Sequence, residues 1–160
     1  MGRETDLDDA RPPADPEQVG PGIEVLAREE CLQLLRRTSV GRLAFVAAGW
    51  PIALPVNYSF DGEDLVVRTD PRSQLARATR HAIRVALEID ETRSLYQSGW
   101  SVVAFGMAQW VDDDDEAARL SASAETPWVR GPRTHVVRIT LVQLSGRRVQ
   151  EHGRYPNRWS

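Results

Sequence analysis

From Val40 onward, apolar residues alternate with small or polar ones at a period of two; the chain before it shows no such alternation. "LAREECLQLLRR", Leu26 to Arg37, places Cys31, Leu32, Leu34 and Leu35 at helical spacing and predicts a short amphipathic helix with poor N-cap chemistry. "VGRLAFVA" and "PIALPVNYSF" flank "AGW" and predict a hairpin. In its second strand Ile52, Leu54, Val56, Tyr58 and Phe60 share one face, while Ala53, Pro55, Asn57 and Ser59 share a small, polar one. Pro55 has no N–H to give to a ladder, so this strand is an edge or is bulged there.

"DGED", Asp61 to Asp64, is a turn, and "LVVRT" is the next strand. "PRSQLARATRH" predicts a helix opened by Pro71. "IRVALEID" turns Ile83, Val85, Leu87 and Ile89 inward and Arg84, Glu88 and Asp90 outward. "GWSVVAFGMAQWV", Gly99 to Val111, is a long strand whose Gly106 marks a bulge or a close approach. "DDDDEAARLSASA" starts with acids, as the positive end of a helix favours. "THVVRITLVQLSGRR" is a last strand, apolar on both faces in its middle. About six strands with two or three short helices predict a mainly β fold: a closed or nearly closed antiparallel barrel.

Composition sets the limits of this reading. The 160 residues suit one domain, and 41% hydrophobic content suits a soluble one. Residues 1–22, rich in Pro, Gly and acids, predict an acidic tail without ordered structure; residues 151–160 form a second tail around a domain at 23–150. No apolar run reaches transmembrane length and the acidic N-terminus is unlike a secretory signal, so a cytoplasmic location is expected. The first 30 residues hold 9 acidic and 3 basic side chains, the remainder 14 acidic and 17 basic. That mildly basic remainder suits a small anionic ligand but is too dispersed for nucleic acid. All 20 basic residues are Arg, which excludes a lysine Schiff base. The single Cys31 excludes an internal disulfide and reads as buried filler.

Metal and hydrolase chemistry find no support. Asp112–Glu116 lacks the spacing of a calcium loop and reads as a solvated helix start. His81, His135 and His152 show no paired ligand spacing, and hydrolase, P-loop and dinucleotide-fold glycine motifs are absent. No residue stands out as an acid or base, so none is assigned a catalytic role. Arg68, Thr69 and Ser73, across a strand end and a helix N-terminus, offer a guanidinium fork, two hydroxyls and outward amides suited to a phosphate. Asn57 could give its amide to the edge of a heterocycle, and Trp100 and Trp128 could stack on a flat ligand. On the residues alone, Arg68 capping a helix and Asn57 ending its strand is the simpler reading.

"ECLQLLRRTSVGRLAFV", "PVNYSFDGEDLVVRTD" and "GWSVVAFGMAQWV", followed by "PWVRG" and "HVVRITLVQLSGRR", resemble the pyridoxamine 5′-phosphate oxidase-like family. Within it they are similar to the bacterial flavin-binding branch related to nitroimidazole-resistance proteins, over about Glu30 to Arg148. The resemblance implies a six-stranded split barrel, a homodimer, and flavin mononucleotide (FMN) held at the dimer interface. It implies that Arg68, Thr69, Ser73 and Gln74 contact the phosphate. It also implies that Pro55, Val56, Asn57 and Tyr58, with Trp100 and Ser101, line the isoalloxazine ring, and that Trp128 and Arg133 approach from the second subunit. One departure stands out: the family's Gly-Ser-Lys-Leu is "RSQL" here, with Arg72 for Gly and Gln74 for Lys. Arg72 would restore the lost charge from two residues away. The function expected is FMN-dependent hydride transfer to a small organic substrate. The alternatives are a reductase using the deazaflavin F420, and a flavin- or haem-binding protein without turnover.

Overall fold

A computed structural model describes residues 11–12, 20–93, 98–122 and 135–149. Alternation becomes strand over β2 (Val40–Ala47), β3 (Trp50–Phe60), β4 (Asp64–Thr69), β5 (Ile83–Arg93), β6 (Ser98–Trp110) and β7 (His135–Val149). The strands pair antiparallel in the order β7-β4-β3-β2-β5-β6, and β6 pairs back onto β7, closing a barrel. Inward positions such as Leu43, Leu65, Leu87, Val102 and Ile139 are fully buried and form one core.

A seventh strand, β1 (Ile23–Val25), adds to the six predicted and pairs with the C-terminal end of β7. Three exposed residues carry no alternation signal, so only the free flank of β7 reveals it. β7 is the longest strand: its first half lies between β4 and β6, and its second half between β6 and β1. That change of partner splits the barrel.

The β2–β3 connection is a two-residue turn, Ala48 and Gly49, with φ of 50° and 78°. Both positive angles match the twist of a tight hairpin and leave Trp50 inside the strand rather than in the turn. Pro55 sits opposite Arg42 of β2, in a part of β3 that β4, pairing only with Tyr58–Phe60, does not reach. The edge reading holds and no bulge is needed. Gly106 satisfies both of its expectations. A Cβ there would lie 2.6 Å from the Thr140 carbonyl oxygen, and the register shifts at this point so that Val142 of β7 is the extra residue.

Helix α1 (Arg28–Arg37) begins at Ala27, with no side-chain cap, and buries Cys31, Leu34 and Leu35 against the barrel. Gly146 lets β7 pass over it, since a Cβ there would collide with Cys31 Sγ. Arg148 pairs with Glu30 and Glu24, tying β7 to α1 and β1. Helix α3 (Asp114–Ala122) opens with Asp113 Oδ1 accepting from the Glu116 amide at 2.7 Å. It lies over outward-facing Val66 and Val136, which with Val111 and Leu120 make a second apolar cluster. That cover is why β7 is apolar on both faces in this stretch.

Candidate functional site

The turn after β4 is built by short side chains taking over backbone partners. Asp70 Oδ1 accepts from the Arg72 amide at 2.8 Å, and the Asp70 carbonyl accepts from the Ser73 amide at 2.9 Å. These bonds hold Pro71 and Arg72 in a turn. Helix α2 is therefore shorter than the sequence predicts: it spans Gln74–Ala78 and starts three residues after Pro71, with Ser73 as its N-cap. One of its free amides, that of Ala76, is already given to Ser73 Oγ at 3.0 Å.

Ser73 is oriented by two donors. Its Oγ accepts from Ala76 and, at 2.9 Å, from the hydroxyl of Thr69, which is itself buried at the end of β4. Both acceptor directions being filled, the Ser73 proton points a third way and meets no acceptor among the described residues. Arg68 lies on the outer face of β4, one residue past the Tyr58–Val67 pair, and Asn57 holds the matching place on β3. Ser73 follows at the N-terminus of α2, five residues on from Arg68.

Arg72 takes a different role. Its Nε and Nη2 lie 3.1 Å from the two oxygens of Asp70, and this bond raises its pKa further. The charge expected to replace the family lysine is already engaged. Gln74, the first residue of α2, faces a cavity between α2 and the β2–β3 turn.

The remaining predicted residues divide between the two faces of the sheet. Pro55 is exposed on the outer face, beside Arg42, which bridges Glu88 and Asp90 at 2.8 Å each. Val56 and Tyr58 point inward. The Tyr58 hydroxyl donates to the Leu35 carbonyl at 3.0 Å and lies 2.5 Å from Thr38 Oγ1, so its chemistry is spent on anchoring α1. Trp100 packs on the core from the inner side, whereas Ser101 looks outward, opposite Asp90 and Arg147. A groove of about 320 Å³ beside Ser101 is lined by Asp90, Thr92 and Arg147. β2 and β5 separate β3 from β6, a gap of roughly 14 Å at ordinary strand spacing. Within one chain, Pro55–Tyr58 and Trp100–Ser101 are two patches. Trp128 and Arg133 lie outside the described residues.

Two residues at this end escaped the sequence reading. Asp70 was passed over as a turn former, although an Asp two residues before an Arg is a signal for such a clamp. Arg77 also borders the cavity, and its Nη2 donates to the Arg72 carbonyl at 2.9 Å. Nothing in the sequence distinguishes it from the other arginines.

Comparison with known proteins agrees with this architecture. Residues 27–148 match the model of the family described as pyridoxamine 5′-phosphate oxidase. An uncharacterized protein of Mycobacterium tuberculosis is 31% identical over 147 residues, covering 89% of this chain and 95% of its own. The solved structure of an FAD binding protein from Mycobacterium smegmatis is 27% identical with a TM-score of 0.67, covering 79% of this chain and 98% of its own. An FAD-binding protein from Mesorhizobium loti is 25% identical with a TM-score of 0.65, covering 79% and 97%.

Proposed function

Because the chain belongs to the pyridoxamine 5′-phosphate oxidase family, we propose that it is a flavin-binding oxidoreductase that transfers a hydride to a small organic acceptor. The observation that carries this reading is the oriented Ser73 hydroxyl in the turn that follows Arg68 and Thr69. A donor fixed by two incoming hydrogen bonds, in the turn after a strand end that carries an arginine, suits a phosphate oxygen. Flavin mononucleotide is the smallest flavin with such a phosphate, and two of the similar structures are described as FAD-binding proteins.

Bound flavin supplies the redox chemistry, taking up and passing on a pair of electrons. The chain's own residues bind and orient it. Arg68 and Ser73 hold the phosphate end, and Thr69 keeps the Ser73 donor aimed. Asn57 and Pro55 offer a flat outer surface with one amide for the edge of a heterocycle.

A homodimer completes the proposal. The stretch of β3 before Tyr58 is paired on one side only, and its outer face is small and exposed. The candidate residues of β3 and β6 form separate patches, so a second copy is the means of setting both against one ring. Light scattering should give twice the chain mass, and a monomer would rule the assembly out.

The absorbance spectrum of the purified protein tests the cofactor. A flavin spectrum, or its appearance on titration with flavin mononucleotide, is expected, and bleaching by NAD(P)H with turnover would mark an enzyme. A Soret band with no flavin would point to haem and overturn the reading.

A further inference from the structure

Between the C-terminal end of α1 and the ends of β5, β6 and β7 lies a cavity of about 510 Å³. No residue of the phosphate turn lines it. The volume falls within the usual range for small-molecule sites. Alternation carries side chains into it. Glu91 and Arg93 continue the inward phase of Val85, Leu87 and Ile89, and Trp100 stands opposite Glu91, two residues before buried Val102.

Its chemistry is divided. Leu34 is buried in the core, whereas Trp100 is only partly covered by it and keeps part of its ring for an apolar ligand. Around them stand three arginines and one carboxylate. Arg148 is committed to Glu24 and Glu30, and Arg93 is bonded to Glu91 at 3.2 Å. Arg37, the last residue of α1, is exposed and makes no ion pair among the described residues. A helix C-terminus ordinarily repels an anion. Here its carbonyls are occupied. That of Leu34 accepts from the Thr38 amide at 3.2 Å and the Thr38 hydroxyl at 2.9 Å, and that of Leu35 from Tyr58 at 3.0 Å. The guanidinium of Arg37 is left as the uncompensated charge at this helix end.

We propose that this cavity binds a small aromatic carboxylate, with its ring against Trp100 and Leu34 and its two oxygens on the Arg37 fork. One unpaired guanidinium matches one singly charged, planar group. Glu91, on the same wall, opposes the further charge that a phosphate would bring. Trp100 thereby gains a role other than the flavin ring that the resemblance implies. No residue holding the phosphate takes part, so this site is independent of the flavin reading.

Equilibrium dialysis of the full-length chain tests it, with 2-naphthoate as the probe and 2-naphthalenemethanol as its neutral counterpart. The acid should bind about tenfold or more tightly than the alcohol. Arg37→Ala should weaken the acid roughly ten- to a hundredfold and the alcohol by less than about twofold, as loss of a charged hydrogen bond requires. Arg37→Lys keeps the charge without the fork and should fall between. Trp100→Leu should weaken both probes by similar factors, with a cooperative melt showing that the chain is folded. Absence of binding at about 1 mM acid, or an acid no tighter than the alcohol, would overturn the site. Unchanged affinity in Arg37→Ala would overturn it as well, since the acid would then be held elsewhere.

Discussion

Arg72 is held by Asp70, two residues before it, through both oxygens of the carboxylate at 3.1 Å. The arginine side chain remains 83% exposed, so water and salt screen this pair strongly. Asp70 thereby competes with any phosphate for the one cation gained at the altered "RSQL" turn.

Removing that competitor should strengthen phosphate binding. In Asp70→Asn the amide oxygen can still accept from the Arg72 amide, so the turn is kept while the negative charge goes. Flavin mononucleotide should bind about two- to fivefold more tightly, the range of a screened surface contact. Arg72→Ala alone should change little, and in the Asp70→Asn background it should cancel the gain. Unchanged affinity in Asp70→Asn would show that Arg72 never reaches the ligand.

Tyr58 should matter for stability and not for ligand. Its hydroxyl ties the end of α1 to β3 through Leu35 and Thr38. Tyr58→Phe should cost about 1–2 kcal/mol and lower Tm by about 2–8 °C. Flavin affinity should stay the same, and a large loss of it would place Tyr58 at the ligand.

The same residue sets an alkaline limit. Burial raises the Tyr58 pKa to about 12, against a smaller opposing pull from the Thr38 hydrogen bond. The unfolded chain ionises near the ordinary value of about 10. The folded state keeps its proton longer, so this stabilisation is complete below pH about 10 and is lost as pH rises through about 12. Tm measured against pH should fall less steeply over that window in Tyr58→Phe; parallel curves would refute the assignment.

Gly146 and Cys31 should behave as a coupled pair. Gly146→Ala forces a methyl group against the Cys31 sulfur, an overpacking worth about 1–3 kcal/mol. Cys31→Ala in the same chain should return part of the loss. Leu26 Cβ, 3.0 Å from the added carbon, sets a limit on recovery. Urea melts that show simple additivity would mean that the two side chains do not meet.

His135 should give an acid-side dependence. It stacks on Trp110 with ring centroids 5.0 Å apart, and its buried Nε2 finds no hydrogen-bond partner among the described residues. Burial, then the positive charge of Arg80, lowers its pKa. The folded state therefore binds the proton less readily than the unfolded chain. Stability from the neutral ring is present above the unfolded pKa of about 6.5 and is lost as pH falls through the lower folded value. His135→Phe keeps an aromatic ring for the stack and should flatten Tm between pH about 7 and 5. An unaltered profile would assign the slope to another group.

Alternation was enough to locate β2, β3, β5 and β6, because a residue that faces a core on every second step needs no other signal, whereas β4 and β7 read as apolar runs because α3 covers part of their outer face. It also put Tyr58 inward and Asn57 outward. β1 was invisible because its pairing belongs to β7. The start of α2 was missed because Pro71 fits either a turn or a first helical position, and the Asp70 carboxylate decided for the turn.

The sequence by itself determined the strand pattern and, through its resemblance, the family, and it places Arg68, Thr69 and Ser73 within six residues around one turn. Only the tertiary structure decided what each of them does. The folded turn decides whether Thr69 aims Ser73 and whether Arg72 faces a ligand or Asp70, and the β2–β3 turn arriving beside α2 decides whether Gln74 borders a cavity. A hydrogen bond or an ion pair requires two groups within about 3 Å in the right direction, and sequence spacing fixes neither once the chain has turned.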